Sequence, residues 1–116
     1  MADLATLCAA VQRALDETEA EYGQLPFFVR PMVRRGFTKR TGRDFSQWRA
    51  ILAAAGRGEI HAELAAALDL LVEHYRGAPA RAQRGMGATA PQLAEIEARS
   101  RRRAEAAANL RRALAP

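Results

Sequence analysis

Residues 25–48 read LPFFVRPMVRRGFTKRTGRDFSQW, and the way this stretch folds decides the architecture. It holds five of the chain's seven aromatic side chains (Phe27, Phe28, Phe37, Phe45 and Trp48) and two prolines. It also carries Arg30, Arg34, Arg35, Lys39, Arg40 and Arg43, with Arg49 following directly. Pro26 suits the first turn of a helix, where an amide would go unpaired in any case. Pro31 lacks the N–H that would continue the ladder, so the spacing predicts a bent or broken helix over 26–41, kinked or restarted at Pro31. Val29, Val33 and Phe37 form its apolar edge, Phe28 and Met32 widen that edge, and Arg30, Arg34 and Lys39 fall away from it. Gly42 closes the element, and TGRD turns into a third helix. Asp44 or Ser46 caps that helix; Phe45, Trp48, Ile51 or Leu52, and Ala55 share one face, with a stop at Gly56 and Gly58.

Towards the N-terminus, Leu4, Cys8, Val11, Leu15, Thr18 and Tyr22 recur in steps of four and three, the signature of one face of an amphipathic helix. Asp3 is a suitable N-cap and Gly23 a suitable stop. Cys8 falls on the apolar stripe and reads as a small buried hydrophobe. Towards the C-terminus, Ile60, Leu64, Ala67, Leu71 and His74 repeat the pattern, with Leu68, Val72 and Tyr75 broadening it, and predict a core helix over Glu59 to Arg76. The segment GAPARAQRGMGATA (77–90) has three glycines, a proline and no periodicity, which predicts a flexible linker. Thr89 and Pro91 then open a helix to about Leu114 that is polar nearly all round. Such a helix is marginal alone in water and needs a surface to lie on. The fold class is therefore all-α: four helices within 1–76, a linker over 77–90 and a long basic helix over 91–116.

Charge is unevenly placed along a chain of net charge +5. Asp3, Asp16, Glu17, Glu19 and Glu21 make the first segment acidic, whereas 30–49 is basic. Neighbouring helices would neutralise each other in part through exposed pairs worth about 0–1 kcal/mol each. The basic residues are 17 arginines and one lysine, a skew of the kind a GC-rich genome produces. Cys8 is the only cysteine, which excludes an intramolecular disulfide and fits a reducing cytoplasm. The opening MADLATLCAAVQRALDE has no basic n-region and is interrupted by Gln12 and Arg13, so it reads as neither a signal peptide nor a membrane span.

Catalytic chemistry finds no footing. His61 and His74 are thirteen residues apart on one predicted helix, too far along it to ligate one metal, although either could serve as an axial ligand to a tetrapyrrole. For His74 a core position or a contact with the helix C-terminus is the simpler reading. No glycine-rich phosphate loop, metal-ligand cluster or nucleophile with a base is present, so the expectation is a protein that is not an enzyme and holds no cofactor or metal.

The run LPFFVRPMVRR, preceded by ETEAEYGQ, resembles the small helical domain at the C-terminus of the B subunit of light-independent protochlorophyllide reductase. That resemblance covers about residues 17–41 and is closest over Leu25 to Arg35; Thr38 and Thr41 depart from the family pattern, and the tryptophan usual before it is missing. It implies association with a larger enzyme or a pigment pathway, with the chemistry lying elsewhere.

These observations predict a non-enzymatic accessory or assembly protein that binds a larger protein partner. The partner-binding candidates are Arg30, Arg34, Arg35, Lys39, Arg40, Arg43 and Arg49, together with Arg101, Arg102 and Arg103 on the last helix, because guanidinium forks suit carboxylates. The last helix could also pair two copies of the chain. The alternative is a DNA- or RNA-associated helical protein in which RSRRR (99–103) and the basic stretch meet phosphates. Against it, Glu95–Arg99 and Glu97–Arg101 are favourably oriented pairs of a solvated helix face.

Overall fold

The computed structural model describes residues 3–114, and among these it contains six helices and no strand. They are α1 (Leu4–Gly23), α2 (Arg30–Thr41), α3 (Phe45–Gly56), α4 (Leu64–Arg76), α5 (Ala78–Met86) and α6 (Ala90–Leu114). Asp3 caps α1, its side chain accepting from the Thr6 amide at 2.8 Å. Asp44, rather than Ser46, caps α3 in a reciprocal box with Gln47. Thr89 and Gln92 exchange similar bonds at the head of α6. Each box satisfies amides that the first helical turn leaves unpaired.

Pro31 restarts the second helix and does not kink it. The segment 26–29 is a turn, closed by the Val29 and Arg30 amides on the Pro26 carbonyl, and α2 begins at Arg30 with the proline in its first turn. The helix ends at Gly42, whose φ of 80° is the left-handed conformation glycine adopts without steric cost.

One buried cluster draws on five helices: Cys8, Val11 and Leu15 from α1, Phe37 from α2, Phe45, Trp48 and Leu52 from α3, Leu64, Leu68 and Leu71 from α4, and Ala104, Ala107 and Leu110 from α6. The last helix thus completes the core by packing on α1 and α4. Its narrow stripe suffices because the small side chains of Ala104 and Ala107 allow close approach to those helices. Full burial of each large side chain contributes about 1.5–3 kcal/mol.

The buried polar groups are paired, as a low-dielectric interior requires. The Trp48 indole donates to the Thr41 hydroxyl at 3.1 Å, and that hydroxyl has the Phe37 and Arg43 carbonyls as acceptors, each at 3.0 Å. Thr18 and Tyr75 share a hydrogen bond of 2.8 Å across α1 and α4.

Two expectations change. The segment expected as an irregular linker over 77–90 contains α5: Pro79 is tolerated in its first turn, and Gly87, at φ 59°, ends it. The fourth helix starts at Leu64 and not at Glu59; Ile60 and His61 precede it in an exposed connection.

Candidate docking surface

The aromatic stretch divides into an inner and an outer set. Phe37 and Phe45 stack with centroids 4.2 Å apart, Tyr22 meets both edge-on, and Trp48 is fully buried. Phe27 and Phe28, by contrast, are 79% and 71% exposed, and Met32 is 64% exposed. This corrects the expectation that Phe28 and Met32 extend the apolar edge of α2. The cause is the late helix start: Phe27 and Phe28 fall in the middle of the 26–29 turn and point outward, while Val33, Phe37 and Thr41, four residues apart, set the inward face. The two phenyl rings pack edge to face, 5.8 Å between centroids. Arg30 fixes the turn beneath them, its Nε donating to the Leu25 carbonyl at 2.7 Å.

Met32, Arg35 and Lys39 stand at i, i+3 and i+7 on one exposed side of α2. That side is apolar at its N-terminal end and cationic at its C-terminal end. Arg35 and Lys39 make no ion pair with a described residue.

The remaining basic candidates are placed differently. Arg34 reaches Glu19 at 3.3 Å and lies over the Phe45 ring, and Arg49 pairs with Glu19 and Asp16. The acidic α1 thereby neutralises part of the basic α2 and α3. Arg43 covers the Trp48 ring, with 5.9 Å to its centroid, and Arg40 donates to the His74 ring. Arg103 is 8% exposed and bound to Glu17 and Glu21. Successive helical residues are turned by about 100°, so the Arg101–Arg103 run points three ways. Arg102 is exposed, and Arg101 lines a groove between α4 and α6 beside Glu97 and Glu105. The structure therefore places Arg35 and Lys39 on the exposed side of α2 that Met32 begins, and Arg101 to Arg103 on a different helix.

His61 is exposed, whereas His74 is buried and its Nδ1 lone pair is taken up by arginine N–H groups. Burial, with Arg81 and Arg40 adding to it, pushes the His74 pKa down to about 3. Burial also raises the Cys8 thiol pKa. Among the described residues no group of three His, Cys, Asp or Glu side chains is poised to hold a metal ion, and no helix is long and apolar enough to cross a membrane.

The sequence signal for the outer phenylalanines is two adjacent aromatics directly after a proline that opens a turn. No protein-family model matches the chain, and neither curated proteins nor solved structures provide a match.

Proposed function

We propose that the protein is a non-enzymatic accessory protein that docks on a larger protein through Phe27, Phe28 and Met32, with Arg35 and Lys39 meeting carboxylates beside the apolar contact. The observation that carries this reading is the exposure of two adjoining phenylalanines in a chain whose core is otherwise built largely of alanine and leucine. Exposed apolar groups rimmed by charge mark interaction sites, and aromatic anchors dominate binding energy where a partner supplies a pocket. The order of side chains along α2 calls for a partner surface with an apolar pocket followed, about one to two helical turns on, by acidic groups. A non-catalytic role is supported by the burial of the Cys8 thiol and by the engagement of His74 Nδ1 with two arginines. The likeness of Leu25–Arg35 to the reductase domain adds a larger enzyme as the kind of partner.

The test is recovery of tagged protein from its native cells after nuclease treatment, alongside Phe27→Ser/Phe28→Ser and with a photo-crosslinking phenylalanine analogue at 27. A stoichiometric protein that crosslinks at 27 and is lost with the double substitution is the expected result. Equal recovery by wild type and double variant overturns the docking surface. Recovery that collapses on nuclease treatment transfers the assignment to nucleic acid.

A further inference from the structure

Away from the docking surface, two half-buried arginines converge on one histidine. Arg40, from α2, donates through Nε to His74 Nδ1 at 3.1 Å, and Arg81, from α5, places Nη2 3.3 Å from the same atom. Arginine can only donate, so Nδ1 is the acceptor and the imidazole carries its proton on Nε2. The second contact of Arg81 is with the His74 carbonyl at 2.6 Å, which ties α5 to the end of α4. Phe37 closes one side of the ring, edge-on at 5.0 Å. Burial raises the pKa of the Tyr22 hydroxyl, and the positive charges of Arg40 and Arg81, with a hydrogen bond from Arg40, oppose that rise in part.

What is missing here is negative charge. Elsewhere a buried arginine has carboxylates: Arg103 has Glu17 and Glu21. Arg40 and Arg81 have none among the described residues, and the acidic groups on adjoining elements are engaged by other cations, Glu21 by Arg99 and Arg103 and Glu73 by Arg76. Arg84 adds further positive charge close to Arg81. Two glycines allow this arrangement. A Cβ at Gly77 would come 2.8 Å from Arg81 Nη1, and one at Gly36 would come 3.1 Å from Arg40 Nη1, so each guanidinium lies close against its glycine. Most of the N–H donors on the two planar groups remain uncommitted.

The geometry points to a binding site for a phosphate-type oxyanion, held between α2, α4 and α5 by Arg40 and Arg81, with the neutral His74 as the spacer that sets the two guanidinium groups at a fixed separation. Two forks approaching from different helices suit a tetrahedral dianion, whereas one fork alone satisfies a carboxylate. The site is independent of the Phe27–Phe28 surface.

The test is titration of the full chain with inorganic phosphate, phenyl phosphate and acetate at constant ionic strength, following the arginine Nε–H resonances by NMR. Saturable shifts of Arg40 and Arg81 with either phosphate, and at least a tenfold weaker response to acetate, are expected. Inorganic phosphate alone marks a free-ion site, and preference for phenyl phosphate marks a phosphomonoester. Arg40→Gln should weaken binding at least tenfold, while Arg40→Lys, which keeps the charge but not the fork, should recover only part of it. Absence of saturable shifts in the wild-type protein, or equal response to acetate, overturns the assignment, and neither result depends on whether a variant folds.

Discussion

Arg103 on α6 holds Glu21 on α1 with both terminal nitrogens, at 3.1 and 2.5 Å, while its Nε reaches Glu17 at 3.2 Å. The guanidinium is buried against the helix pair while the two carboxylates keep nearly half of their side-chain surface in water, so its loss would open a gap and leave the acids to the solvent. Arg103→Ala should lower unfolding stability by about 1–2 kcal/mol, through the lost packing of a buried stem and the loss of ion pairs whose carboxylates stay partly in water. Arg102→Ala, one residue away and exposed, should change it by less than about 0.5 kcal/mol. Urea denaturation of both variants checks this, and similar losses for the two would contradict the different environments assigned to them.

Trp48 and Thr41 supply a second, purely internal test. Thr41→Val keeps the volume but leaves the indole N–H without its partner, which should cost about 1–3 kcal/mol. In a double-mutant cycle with Trp48→Phe the two losses should fall short of additivity, because the second substitution removes the stranded donor. Additive losses would mean that the indole finds another acceptor.

His74 predicts an acid-sensitive contribution to stability. The unfolded chain takes up the imidazole proton near 6.5, and the folded protein resists it down to about 3. Between those values the unfolded state binds more protons, so the stabilising contribution is full above 6.5 and declines by up to about 1.4 kcal/mol per pH unit as the pH falls towards 3. The stability difference between wild type and His74→Gln, measured across that range, should shrink on acidification. A difference that stays constant would place the imidazole in a solvent-like environment.

Phe27 and Phe28 should be dispensable for folding. Phe27→Ser and Phe28→Ser remove side chains that are already largely in water, so the thermal midpoint should stay nearly unchanged. A drop of the size seen for core truncations, about 3–5 kcal/mol, would show that the rings are buried in solution.

Most of the helical framework was legible because heptad-like spacing and caps are local signals. Leu4 to Tyr22 marked α1, Asp44 marked the start of α3, and Thr89 with Pro91 marked α6. What failed was phase and partner. A turn and the first turn of a helix look alike in a Pro-aromatic-aromatic sequence, so helical spacing puts Phe28 on the apolar edge although the turn directs it outward. The segment at 77–90 reads as irregular in sequence because its helix is short and lies between glycines at 77 and 87, with Gly85 inside it. Among the basic candidates, nothing local distinguishes Arg103, which finds Glu17 and Glu21 more than 80 residues back, from Arg102, which points to water. The Arg40–His74–Arg81 cluster is likewise assembled from three helices and has no contiguous motif.

The pairing of α1 with α6 also constrains how the chain is made. Glu21 and its guanidinium partner are separated by 82 residues. At a synthesis rate of about 5–20 residues per second, the acidic helix waits roughly 4–16 seconds on the ribosome before the side chain that neutralises it has been added. During that interval the apolar face of α1 lacks the cover of α6, so the nascent protein depends on its early helices to shield their own apolar faces until that helix arrives.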